Sequence, residues 1–228
     1  MAPGPPSIAA AKSRSTTTRR RVNQPRTWLG GGPEGNEQLT AATGIVLIVV
    51  LAAIGVTIVR IGQLLWLHLF LGLLVIGPVV LKMASTGYRF ARYYANNQAY
   101  RRKGPPETWL RLMAPIIVVT TIAVLVSGVV LLFGGPALRD PLVLIHKVAF
   151  IIWVAFTALH ILGHLPGLAA AWRPVDPDQS GLLSRGSGGA GRLIALSGAI
   201  VGGLVLAIVL IPEFSAWTAH GALHHHRG

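Results

Sequence analysis

Of 228 residues, 52% are hydrophobic and only 12% are charged, and the mean hydropathy is +0.60. So few charges cannot give a chain of this size a solvated surface, which excludes the soluble globular classes. The absence of cysteine removes disulfides, thiolate-ligated clusters and cysteine-linked prosthetic groups. The formal charge of +13 lies between apolar runs, which points to orientation at an anionic membrane face and not to nucleic acid.

Residues 1–38 are rich in Pro, Gly, Ser, Thr and Arg, with almost no apolar periodicity. Such a composition cannot bury a core, so a disordered basic cytoplasmic tail is expected. Arg19-Arg20-Arg21 is similar to the start of a twin-arginine export signal. The next apolar run begins some eighteen residues later and is too long for a signal segment, so an uncleaved first membrane helix is expected.

Five uncharged or nearly uncharged runs follow, each near the ~20 residues that cross hydrocarbon as a helix. They run from Leu39 to Val59, Gln63 to Met83, Leu110 to Phe133, Pro141 to Leu165 and Leu193 to Ile211. The expected fold is an all-α membrane protein of five transmembrane helices. Residues 39–165 form a four-helix transmembrane bundle. Residues 166–192, rich in Gly, Ser and Pro, form a flexible cytoplasmic linker. Residues 193–228 hold the fifth helix and an extracytoplasmic tail with His220 and His224-His225-His226, a short cluster of the kind that binds Cu or Zn weakly or serves as an ordinary tail.

The basic residues orient the bundle. The tail holds six Lys or Arg, and the stretch from Lys82 to Arg111 holds seven. The first hairpin has only Arg60, and the link after the third run only Arg139 beside Asp140. By the positive-inside rule the N-terminus is cytoplasmic and the C-terminus extracytoplasmic. Between Gly87 and Trp109, Tyr88, Phe90, Tyr93, Tyr94 and Tyr100 alternate with Arg89, Arg92, Arg101, Arg102 and Lys103. This mixture suits a membrane interface, or a collar that docks an acidic redox partner.

The fourth run carries three histidines, His146, His160 and His164. Fourteen residues on a helix place His146 and His160 about 40° apart in azimuth and about 21 Å apart along the axis. His164 returns to the azimuth of His146. Ionisable groups on one face of a membrane helix ask for a function. Asp140 as cap and Pro141 in the first turn set the start of this helix and put His146 about one and a half turns in. His68, after the break at Gly62, falls at similar depth on a helix running the same way. Two imidazoles so matched can approach the two faces of one porphyrin, as bundle cofactor sites do.

LLWLHLFLGLLVIGPVVLK in the second run and LIHKVAFIIWVAFTALHILGH in the fourth resemble the haem-bearing helices of bacterial b-type membrane cytochromes, including the subunits that accompany hydrogenases and formate dehydrogenases. The resemblance covers about Leu39 to Leu165. It implies a haem-binding bundle of helices one to four in the bacterial cytoplasmic membrane, with His68 and His146 as axial ligands of an outer haem b and His160 as a ligand of a second, inner haem. It also implies electron transfer between a quinone pool or redox partner protein and another carrier, alone or within a larger membrane complex. Fourteen residues after His68 stands Lys82, followed by Met83, so a second haem would need Met83 or Met113 opposite His160.

Plainer readings stand beside these. His68 can serve as an interhelical hydrogen-bonding group. His160 and His164 fit a haem ligand with a neighbour, a quinone-binding pair, a two-ligand metal clip or interfacial polar groups. Lys147 either snorkels or meets a haem propionate. Gly72 either clears space for a porphyrin or packs a helix. A haem-free membrane scaffold or small subunit is the alternative from another class. A proton-coupled transporter is disfavoured, because none of the five runs contains Asp or Glu.

Overall fold

The computed structural model describes residues 32–102, 108–171 and 189–218, and every regular element among them is helical. The order is α1 (Gly32–Val59), α2 (Ile61–Leu74), α3 (Ile76–Tyr94), α4 (Gln98–Arg101), α5 (Thr108–Phe133), α6 (Gly135–Ala171) and α7 (Gly189–Val209), closed by a 3₁₀ turn, Ile211–Phe214. Five spans, with α2 and α3 as one, are long and apolar enough to cross a membrane. Large side chains such as Val49, Val119, Ile151 and Ile194 point outward along them. In water that surface would be one adhesive patch; against lipid it is the expected exterior of a multi-pass membrane protein.

Several boundaries differ from those read in the sequence. Residues 32–38, assigned to the tail, are the first two turns of α1; residues 1–31 lie outside the described residues. The helix of the fourth span, α6, starts at Gly135, so Asp140 and Pro141 lie inside it and are not its cap and first turn. Pro136 supplies the early proline instead, tolerated there because the first turn needs no N–H donor. At the other end α6 continues to Ala171 and α7 begins at Gly189, so only residues 172–188 of the expected linker remain, outside the described residues.

The second span is two helices meeting at Val75. Pro78 explains the joint. It has no N–H to give the carbonyl of Leu74, four residues back, and its ring crowds that carbonyl. The carbonyl turns instead toward Gly203 of α7, where a side chain would collide with it; likewise, a side chain on Gly77 would collide with the carbonyl of Ala199. Glycine at both positions lets the backbones touch, as small residues do between membrane helices. The fifth span is therefore packed into the bundle and not appended to it.

A polar cluster ties α1 to α3 near the N-terminus of α1. Asn36 Nδ2 donates to the Ser85 carbonyl at 3.0 Å, and Lys82 Nζ donates to the Thr40 carbonyl at 2.7 Å. Beyond Lys82 the helix runs on to Tyr94 with aromatic and basic residues, and Asn97 caps α4 through the backbone N–H of Ala99. Tyr100 is buried against Tyr88, and burial first, then that neighbour, pushes its phenol above the ordinary value. The Arg111 guanidinium donates to the Tyr94 hydroxyl. The expected aromatic and basic collar thus holds itself together by its own side chains.

At the opposite end, Leu73 of α2, Leu132 of α5, Ala207 of α7 and Phe214 form a core cluster. Trp66 stacks on Phe70 and meets Phe214 edge-on. Arg139 lies 4.1 Å over the ring of Trp217. These contacts place the start of α2, the end of α5, the start of α6 and the end of α7 at one end of the bundle, so α2 and α6 run the same way.

Candidate functional site

α5 and α6 pair closely with each other, but α2 stands away from them, and the helices part around a cavity of about 390 Å³. That lies within the roughly 300–1,000 Å³ typical of small-molecule sites. Its wall is apolar: Ile54 and Ile58 of α1, Leu65 and Leu69 of α2, Val79 of α3, Leu125 and Val129 of α5, Phe150 of α6. Two imidazoles interrupt that wall, His68 from α2 and His146 from α6, within electrostatic range of each other. The structure brings together the two histidines that the sequence placed at matched depth.

Each ring is held by a hydroxyl from the preceding span. His68 Nδ1 lies 2.9 Å from Thr57 Oγ1 of α1, and His146 Nδ1 lies 2.9 Å from Ser127 Oγ of α5. Each hydroxyl also donates to a carbonyl one turn back, Thr57 to Ile54 at 2.6 Å and Ser127 to Val124 at 3.1 Å. A hydroxyl has one proton. With that proton on the carbonyl, the oxygen is free to accept from the imidazole, an arrangement that matches a proton on Nδ1 and a lone pair on Nε2. Thr57 is fully buried and Ser127 nearly so, so water has little access to either bond.

Glycines shape the space around the rings. A side chain on Gly128 would press on His146 Cε1, 3.2 Å from the position of its first carbon, so glycine lets that ring lie against α5. Gly72 lines the cavity, and a side chain there would meet nothing within 4 Å. Of the two roles open for Gly72, clearing space is the one the geometry fits. Deeper along α6, Trp153 lines the cavity and donates through Nε1 to Thr121 Oγ1 at 2.9 Å. Lys147 and Trp217 also line it.

The remaining sequence candidates lie elsewhere. His160 is half-buried on α6 and does not line the cavity. His164 belongs to α6, but its side chain, like His220 and the His224 to His226 cluster, is outside the described residues. Met83 packs against the cluster of Leu47, Val75 and Val79, Met113 is buried, and neither lines the cavity. Lys82, at the position where a second histidine would stand, is engaged with the backbone of α1. Among the described residues no three His, Cys, Asp or Glu side chains converge as a metal-binding group.

The sequence reading missed Thr57 and the contact of Ser127 and Gly128 with His146; those two are legible only as small residues of the kind found where helices or a flat ligand approach closely. A hydroxyl in each preceding span was visible, but ideal-helix arithmetic does not bring Thr57 level with His68. The backbone of α2 is non-helical at Leu64, and α6 begins five residues before Asp140. No family model, curated protein or solved structure gave a match to this chain, so its residues and their geometry carry the functional reading.

Proposed function

We propose that the chain is a membrane b-type cytochrome that binds one haem b through Nε2 of His68 and His146. It would carry electrons between a quinone pool or redox partner and another carrier in a bacterial cytoplasmic membrane. The observation behind this reading is the convergence of two imidazoles from different helices, each with a hydroxyl 2.9 Å from its Nδ1, on one apolar cavity. An axial ligand needs that tautomer, with a partner on the other ring nitrogen. The residues fit the group: the wall is apolar, Gly72 leaves room, and Lys147 offers a positive charge to a carboxylate edge. Haem would supply reversible one-electron exchange at iron. The chain's part is to hold two ligands, exclude water and set the potential by burial and hydrogen bonding. A second haem on His160 draws no support from the cavity, which His160 does not line.

The rival reading is a haem-free scaffold in which Thr57–His68 and Ser127–His146 simply join helices. A reduced-minus-oxidised spectrum of the purified full chain separates the two. The expected result is a low-spin b-type spectrum and an acid-extractable pigment. His68→Ala and His146→Ala should each lose that pigment or leave high-spin iron. No extractable pigment from wild type expressed with ample haem would leave the scaffold standing. The positive-inside pattern also places the Arg60 end outside. A reporter fused after Arg102 should read cytoplasmic and one after Pro212 extracytoplasmic; the reverse at both would overturn the orientation.

A further inference from the structure

We infer that Thr57 and Ser127 are positioning residues that fix the tautomers of His68 and His146 and thereby set the electron-donating strength of the pair. This rests on the haem reading for its redox consequence, but not for the tautomer. The geometry is a hydroxyl between an imidazole Nδ1 and a main-chain carbonyl on each side, and on the His146 side the ring also bonds the Val124 backbone itself. A hydroxyl that donates to a carbonyl becomes a better acceptor, so each chain is cooperative. Drawing the Nδ1 proton toward oxygen makes the ring more basic at Nε2. A more basic ligand favours ferric over ferrous iron and holds the midpoint potential down.

The two sides are unequal. The Thr57 hydroxyl makes the shorter bond to its carbonyl, 2.6 Å against 3.1 Å, and is wholly buried, so no water can take its place in a variant. Thr57 therefore acts more strongly than Ser127. Both hydroxyls come from the span preceding their histidine, so the four helices α1, α2, α5 and α6 each contribute one member of the site.

The test uses the full chain in nanodiscs. In haem-free protein, ¹⁵N-histidine NMR should show His68 and His146 protonated at Nδ1; finding them protonated at Nε2 overturns the assignment, whether or not the chain binds haem. In haem-loaded protein, redox titration of Thr57→Val should give a higher midpoint with haem retained. Ser127→Ala should give a smaller rise, and Thr57→Ser should return the wild-type value. A role confined to joining helices would lower stability and leave the midpoint where it was. Unchanged midpoints in both loaded variants would sink the proposal. Wild type that takes up no haem would refute the function proposed above, and the NMR result would then decide the role of the two hydroxyls alone.

Discussion

α2 and α3 meet two neighbours in opposite ways. Against α7 the backbones touch, because Gly77 and Gly203 remove the side chains that would hold the helices apart. Facing α5 and α6, the helices stand off, and the gap contains two histidines and a glycine with nothing opposite it. Lipid tails are as apolar as leucine, so no hydrophobic effect forces membrane helices together; close packing does. A gap kept open among such helices, with polar groups turned into it, is where a ligand would restore the missing contacts. The same residue type thus has two meanings, and only its surroundings tell them apart.

The largest effect should come from closing off the first contact. Gly203→Leu puts a branched side chain where the Leu74 carbonyl already stands, so α7 must move away. Overpacking of this kind costs about 1–3 kcal/mol, and more where backbone is the obstacle. Thermal unfolding in detergent should show a clear loss of stability for Gly203→Leu and equally for Gly77→Leu. Wild-type stability in both would mean that the crossing seen here does not hold the fold together.

Gly72→Leu is the matching change on the open side. No atom lies within 4 Å of where its side chain would start, so the fold should tolerate it. The leucine would occupy space between the imidazoles' walls that a flat ligand needs. The expected outcome is near wild-type unfolding with much reduced pigment. Pigment retained at the wild-type level would place the ligand away from Gly72 and separate this glycine from the site.

What was legible in the sequence follows the same division. The number of spans was readable, because hydrophobic length is a local property. The premise of the matched depth did not hold, since α6 starts at Gly135 and not at Asp140, so His146 is eleven residues in while His68 is seven into α2; what the structure gives is that both line one cavity. The irregular Leu64 and the bend at Val75 shift α2 relative to an ideal rod, which counting residues cannot supply. The Thr57 partner of His68 was hidden for that reason. So was the Gly77–Gly203 crossing, since a glycine in an apolar run looks the same whether it touches backbone or faces a cavity.

The smallest expected effect tests whether the open region is one site or two. His160 lies on the helix face that carries His146, but about 21 Å further along the axis, beyond the reach of one porphyrin. It does not line the cavity, and the position fourteen residues after His68 holds Lys82, which is engaged with Thr40. Met83, the next residue, is packed among Leu47, Val75 and Val79. His160→Ala should therefore leave the haem-to-protein ratio and the low-spin spectrum unchanged, whereas His68→Ala should not. The measurement is pyridine haemochrome content per chain beside the reduced-minus-oxidised spectrum. A fall of one haem per chain in His160→Ala would reveal a second haem whose other ligand lies outside the cavity. If the spectrum persists but reduction by a quinol slows, His160 instead serves the electron donor, and the single-haem reading stands with its entry point located on the far half of α6.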